Sequence, residues 1–340
     1  MKRVVTFGEI MLRLSPSGHG RFVQADSFDV VYGGGEANVT VSLANYGLDT
    51  HFVTKVPDHE IGQCAVNSLR RYGVGTGFIL RGGERLGIYF LEHGASQRPS
   101  KVIYDRAHSA ISQVKPGEFH WHAILEGADW FHFTGITPAL GKGPATVTLE
   151  AVQTAKELGV TVSADLNYRK KLWSPEEAKQ VMSSLMPYVD VLVANEEDAD
   201  KVFGITAGES CVTEGKLSEA GYQEVALQLV ERFGFKKVAI TLRESLSASV
   251  NNWSGLLYNT KKFFRSRKYE IQIVDRVGAG DSFAAGLIYG LVTGMPDGEA
   301  LEFAAAASCL KHTILGDFNL VSTKEVQTLA AGDQSGRVQR

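Results

Sequence analysis

Apolar residues recur along this chain in two rhythms. A short apolar run at 4–7 reads as a buried strand. Positions 36–46 follow a helical period that stops at Gly47, and 61–72 do the same and stop at Gly73. Glycine suits the left-handed turn that closes a helix. Beyond Gly127 strands and helices alternate, with strands predicted at 130–133 ("WFHF"), 160–164 ("VTVSA"), 189–193 ("VDVLV") and 238–242 ("VAITL"). Helices fill the gaps, for example 146–158. The clearest helix start is "SPEE", where Ser174 caps, Pro175 takes the first turn and Glu177 closes a capping box. This alternation predicts a mostly parallel sheet covered on both faces. Ligands of such folds gather beyond the carboxyl ends of the strands.

Two stretches break the rhythm. Residues 14–33 and 87–106 carry short alternating segments, "FDVVY", "GIYFLE" and "KVIYD", without helices. They predict a small β-layer, a lid beside the main domain. The α/β core then comprises 1–13, 34–86 and 107–331, and the tail 332–340 reads as disordered.

Bulk properties narrow the picture. At 340 residues the chain can bury a large core, and with 44% hydrophobic and 21% charged residues it is ordinary for a globular protein. A formal net charge of −3 argues against a nucleic-acid binder. No apolar run reaches the roughly 20 residues of a membrane span. Glu9 and Arg13 interrupt the N-terminal apolar residues, against a signal peptide. Cys64, Cys211 and Cys309 are few, odd in number and far apart, which fits a reducing cytoplasm rather than a disulfide framework. Glycine is the outlier at 36 residues and predicts backbone-lined sites.

Two glycine clusters carry the candidate chemistry. In "VGAGDSFAAG" (277–286), a strand-like "EIQIVDRV" enters and a helix leaves. Gly278, Ala279 and Gly280 thus fall at a helix N-terminus, where unpaired amides favour an anion. Asp281, in the first turn, suits a general base that takes a hydroxyl proton while those amides hold a migrating phosphoryl group. The same residues also suit an ordinary helix start packed through glycine. A dinucleotide fingerprint is disfavoured, since Phe283 stands where its third glycine belongs. The second cluster, "GGGEAN" (33–38), offers bare backbone at Gly34 and Gly35 and a two-way hydrogen-bonding side chain at Asn38. It fits a polyhydroxylated ligand, or a plain loop.

Basic residues add a hint of substrate charge. Tyr104 and Arg106 end the lid segment, and Asp165, Asn167 and Arg169 end a strand. Guanidinium groups match carboxylates or phosphates, so two arginines at one site suggest an acidic substrate. Alternatively each pairs with a neighbouring acid or touches a nucleotide.

"GGGEANV" and "VDRVGAGDSFAAG" resemble the two signatures of the PfkB, or ribokinase-like, family of carbohydrate kinases, in matching order across residues 3–330. The resemblance implies a three-layer α/β/α sandwich with a mostly parallel central sheet and a small β-sheet lid. It also implies ATP as donor, Mg²⁺ as helper, Asp281 as base and Gly278, Ala279 and Gly280 as anion hole. Within the family, the segments around Tyr89, Tyr104, Arg106, Gly135, Arg169 and Asp317 are most similar to 2-keto-3-deoxygluconate kinases. By that similarity Gly34, Gly35, Asn38, Tyr89, Tyr104, Arg106 and Arg169 hold a sugar acid, and Asp317 touches one of its hydroxyls. Its terminal hydroxyl would be phosphorylated to a 6-phosphate. Asn167, Asn195, Thr241, Arg243 and Ala305 would face ATP together with the anion hole.

The chain departs from the family pattern in three places. "NEED" leaves the water-mediated metal anchor open between Glu197 and Asp198. "TLRESLSAS", from Thr241, lacks the glycines often found there, and Ala305 stands where relatives often carry asparagine. His312 falls near the expected adenine pocket and Cys309 in an apolar helix. The alternatives are a kinase for a neutral sugar such as fructose or ribose, or a catalytically silent sugar-binding regulator. Apolar lid residues Val30, Val31 and Phe90 suggest a homo-oligomer paired through the lid; neither nucleic acid nor membrane is expected as a partner.

Overall fold

The computed structural model describes residues 1–206, 219–333 and 336. Cys211 and most of the expected disordered tail lie outside them. Its strands, in chain order, are β1 (Arg3–Phe7), β2 (Met11–Ser15), β3 (Asp29–Gly33), β4 (Asp49–Val56), β5 (Ile79–Arg81), β6 (Gly87–Glu92) and β7 (Lys101–Asp105). There follow β8 (Trp130–Thr134), β9 (Thr161–Asp165), β10 (Val191–Ala194), β11 (Lys237–Ser245), β12 (Val250–Tyr258), β13 (Phe263–Arg265) and β14 (Tyr269–Gln272). The helices are α1 (Gly35–Asn45), α2 (Glu60–Arg70), α3 (Trp121–Leu125), α4 (Lys142–Glu157) and α5 (Pro175–Leu185). The chain closes with α6 (Glu196–Phe203), α7 (Glu219–Phe233), α8 (Ala279–Val292), α9 (Asp297–Lys311) and α10 (Thr323–Ala330).

One sheet runs in the order β13-β12-β11-β10-β9-β8-β1-β4-β5, with β14 also on β12. From β11 to β5 every pairing is parallel. Strand β12 turns back antiparallel on β11. Successive side chains of a strand face opposite ways, and here each face meets its own helix layer. Val5, Phe7, Leu192 and Ile240 bury against α3 to α7, whereas Val4, Val193 and Ala239 bury against α1, α8, α9 and α10. The result is the three-layer sandwich. Among the described residues no helix is long and apolar enough to cross a membrane.

The local signals act as expected. Ser174 accepts from the Glu177 amide and Glu177 reaches back to the Ser174 amide. Gly47 (φ 85°) and Gly73 (φ 79°) take the left-handed conformation just past α1 and α2.

The interrupting segments form a separate four-stranded sheet, β3-β2-β6-β7. It begins at Met11, so residues 11–13 belong to it rather than to the core. "MLRLS" alternates buried and half-buried positions, the mark of a strand with one covered face. Tyr89 on β6 stands directly opposite Tyr104 on β7, with ring centroids 5.9 Å apart. Val30 is 60% exposed, but the Phe90 ring meets Phe22 and Phe28 and is covered in part by this chain itself.

Candidate active site

An open cleft of about 480 Å³ lies where the parallel strands end, under the small sheet. Helices α1 and α8 point their N-termini into it. Of the residues expected at the site, all but Ala305 line this cleft: Gly34, Gly35, Asn38, Tyr89, Tyr104, Arg106, Asn167, Arg169, Asn195, Glu197, Asp198, Thr241, Arg243, Gly278, Ala279, Gly280, Asp281 and Asp317. Ala305 is fully buried in the apolar cluster of α8 and α9, so it cannot face a ligand in the cleft.

The turn before α8 is shaped by its glycines. Gly278 has φ 82°, and a Cβ there would fall 2.0 Å from the Asp317 carbonyl oxygen. A Cβ on Gly280 would meet nothing within 4 Å, which leaves room for a ligand against the backbone. The Ala279 amide approaches the Arg276 carbonyl at 3.4 Å. The next two amides, of Gly280 and Asp281, precede the first helical donor, the Ser282 amide on Gly278 O, and are open to an anion.

Asp281 sits beside them. Asn38 Nδ2 donates to its Oδ2 at 2.7 Å. Burial pushes the Asp281 carboxyl up to about 6, against the opposing effect of that hydrogen bond. Asp165 is pushed well above the usual carboxylate range by burial, then by the charges of Asp198 and Asp281. Asn195 caps α6 by accepting from the Asp198 amide at 2.7 Å, and Asp198 in turn accepts from the Tyr168 amide at 3.1 Å. Asn167 holds a left-handed φ of 40°, its amide donating to Asp165 Oδ1 at 3.2 Å. Thr241 and Arg243 lie on β11, which continues to Ser245 and folds back as β12. The missing glycines are therefore replaced by a strand extension. His312 is buried, with Nδ1 against Ser308 O at 2.7 Å and its ring edge-on to Trp253.

The two arginines differ. Arg106 is buried, forms an ion pair with Glu9 and stands 5.4 Å over the Tyr104 ring. Ser109 Oγ donates to the other oxygen of Glu9 at 2.6 Å. Arg169 is exposed and its guanidinium donates to its neighbour's carbonyl, Tyr168 O, at 2.9 Å. Among the described residues no carboxylate pairs with it.

Asp317 lines the cleft with both carboxylate oxygens already engaged. Tyr89 donates to its Oδ2 at 2.5 Å and Arg13 Nη1 to its Oδ1 at 2.8 Å. Arg13 also bonds Asp275 Oδ2 at 2.6 Å. Arg13, Asp275 and Asp317 are each 2% exposed or less, so this ionic chain is sealed between the small sheet and the turn before α8. Sequence reasoning missed Arg13, Asp275, Glu9 and Glu36. Glu36 is buried, with Oε1 accepting from the Thr134 amide at 2.8 Å and from the hydroxyls of Thr134 and Thr137 at 2.9 and 2.6 Å. Burial pushes it up to about 7. A charged residue inside an otherwise apolar or glycine-rich segment was the available signal for all four.

The chain matches the description "pfkB family carbohydrate kinase" over residues 1–323. It is 56% identical to a 2-dehydro-3-deoxygluconokinase of Thermotoga maritima of known crystal structure, with a TM-score of 0.94 and 97% and 98% of the two chains covered. It is 35% identical to a 2-dehydro-3-deoxygalactonokinase of Haloferax volcanii over 98% of each chain. A 2-dehydro-3-deoxygluconokinase of Bacillus subtilis is 28% identical over 94% of this chain and 93% of its own. A glycine turn facing an acidic helix start, on a ribokinase-like sandwich matched along nearly its whole length, leaves one assignment: the chain belongs to the pfkB family and is an ATP-dependent carbohydrate kinase.

Proposed function

We propose that the protein transfers the γ-phosphoryl group of ATP to the terminal hydroxyl of a 2-keto-3-deoxy sugar acid, 2-keto-3-deoxygluconate in the first instance. One observation carries the sugar-acid reading: Arg169 reaches the cleft with no carboxylate at ion-pair distance among the described residues, while its charge is felt by Asp165 and Asp281. Arg106 alone does not support it, because Glu9 already neutralises it. The names of the relatives, two 2-dehydro-3-deoxygluconokinases and a 2-dehydro-3-deoxygalactonokinase, agree in naming a sugar acid.

In this reading Asp281 takes the proton of the attacking hydroxyl. A carboxyl raised to about 6 is ionised at neutral pH yet more basic than an exposed one. The Gly280 and Asp281 amides and the dipole of α8 receive the transferring phosphoryl oxygens. Asn38 fixes the base, and Tyr89 and Tyr104 cover the sugar and exclude water.

Among the described residues no cluster of three or more ligating side chains forms a metal cage. A magnesium ion held through water and nucleotide phosphates needs only one or two carboxylates. Asp165 and Asp198 fit that role, since their mutual repulsion raises Asp165 and a cation would relieve it; Glu197 stands beside them. Such an ion would neutralise charge on the nucleotide phosphates.

The deciding experiment is a substrate screen with ATP and magnesium, setting 2-keto-3-deoxygluconate and its galacto epimer against fructose and ribose. Preference for a neutral sugar refutes the reading.

A further inference from the structure

Lys311, in the last turn of α9, is fully buried. A buried ammonium is costly unless something receives its charge, and burial lowers its proton affinity here as expected. Its receivers are main-chain oxygens: Nζ donates to Asp275 O at 3.4 Å and to Ile314 O at 3.1 Å. Asp275 precedes the glycine turn, and Ile314 lies in the segment that follows α9. The lysine stem runs directly under that turn, since a Cβ on Gly278 would stand 3.3 Å from Lys311 Cε.

Charge counting sharpens the point. Arg13 and Lys311 face Asp275 and Asp317, each 2% exposed or less, and Asp281 is a further carboxylate whose charge acts on Lys311. Arg13 makes both ion pairs. Among the described residues Lys311 has no carboxylate within ion-pair distance, so its positive charge is not spent in a direct contact. It is left beside the residue that caps α8, Gly278, out of contact with solvent.

We propose that Lys311 is a positioning residue for phosphoryl transfer: a built-in cation that ties the 275–280 turn, through Asp275 O, to the segment after α9, through Ile314 O, and keeps positive charge behind the amides that receive the phosphoryl group. The inference rests on the reading of that turn as the anion hole. In a poorly solvated interior a fixed charge a few ångströms away acts far more strongly than it would in water. Without Lys311 the buried group would carry a net negative charge next to an incoming phosphate.

The test is Lys311→Met, which keeps the length of the stem and removes the charge. The folded variant is expected to show a KM for 2-keto-3-deoxygluconate within about twofold of the parent and a kcat lowered about 10²-fold. In Lys311→Ala, ammonium or methylammonium chloride at fixed ionic strength is expected to restore kcat about tenfold or more, and tetramethylammonium to restore nothing. A purely structural lysine would lower the melting temperature and leave kcat per folded molecule within about threefold of the parent; that result overturns the proposal. Should neither variant fold, isotope-labelled lysine in the parent protein decides by NMR. The Lys311 ammonium signal should move on binding ADP, magnesium and aluminium fluoride, but not on binding sugar acid alone; an unmoved signal overturns the proposal. Asp281→Asn, assayed alongside, separates the two failures. An active Asp281→Asn defeats the base assignment, whereas an active Lys311→Met beside an inactive Asp281→Asn defeats only the lysine.

Discussion

Asn38 donates a 2.7 Å hydrogen bond to Asp281, joining the first turns of α1 and α8 across 243 residues of sequence. The bond occupies Oδ2. The other oxygen, Oδ1, lies 3.6 Å from where a Cβ on Gly35 would stand, on the cleft side. That leaves one carboxylate oxygen free for a substrate hydroxyl.

Asp281→Asn keeps shape and loses basicity. Turnover should fall about 10²–10⁴-fold, while ATP affinity and melting temperature stay near the parent's. Steady-state kinetics and nucleotide titration check this.

A general base at Asp281, as proposed above, must be ionised to work. Since burial holds Asp281 near 6, kcat/KM should climb with pH through about 6 and level off above it. The Asn38 hydrogen bond favours the ionised form, so Asn38→Ala should move this acid limb to higher pH. A limb that stays in place would show that the limb belongs to another group.

The two arginines should separate in a mutant pair. Arg169→Gln is expected to raise KM for the sugar acid about 10- to 100-fold and to leave the melting temperature alone. Arg106→Gln leaves Glu9, only 3% exposed, without its partner, and should cost about 3–5 kcal/mol of stability. Parallel kinetics and thermal melts distinguish them.

Two glycines two residues apart should respond differently to the same methyl group. Gly278→Ala meets both a positive φ and a carbonyl at 2.0 Å, so its folded yield should collapse. Gly280→Ala has room and should melt like the parent, but its methyl would intrude on the proposed phosphoryl position and should lower kcat/KM for ATP.

Glu36 makes stability fall with rising pH. Its folded value near 7 exceeds the unfolded one, so the folded protein binds the extra proton between them. The stabilisation is complete below the unfolded value and lost as pH climbs toward 7. Glu36→Gln keeps a neutral acceptor for Thr134 and Thr137, so the parent should lose up to about 3 kcal/mol relative to it between pH 4.5 and 7. Denaturant melts across that range read the difference.

Much of this was legible in order along the chain. Strand–helix alternation, the Ser174 capping box and the glycines closing α1 and α2 are local, and local patterns survive folding. The glycine turn and Asp281 were legible because a helix start carries its own chemistry. Strand β2 escaped because three of its residues read as a continuation of the core. Arg13 and Asp275 stood out locally as charges among apolar neighbours, but their partnership did not: Arg13 and Asp317 are 304 positions apart, and nothing in either neighbourhood announces the other. Ala305 was placed at a ligand by similarity, and its side chain carries no polar atom that could have argued for or against it.

Strand β3 ends at Gly33 and helix α1 begins at Gly35, so the small sheet runs into the floor of the cleft through a single residue. No slack loop separates the two. Any rocking of that sheet must swing the Gly34 peptide, whose amide is bonded to Asn38 and, through it, to Asp281. In the proposed reaction, covering the sugar and aiming the carboxylate would thus be one mechanical event, and a half-shut molecule would also be a misaligned one.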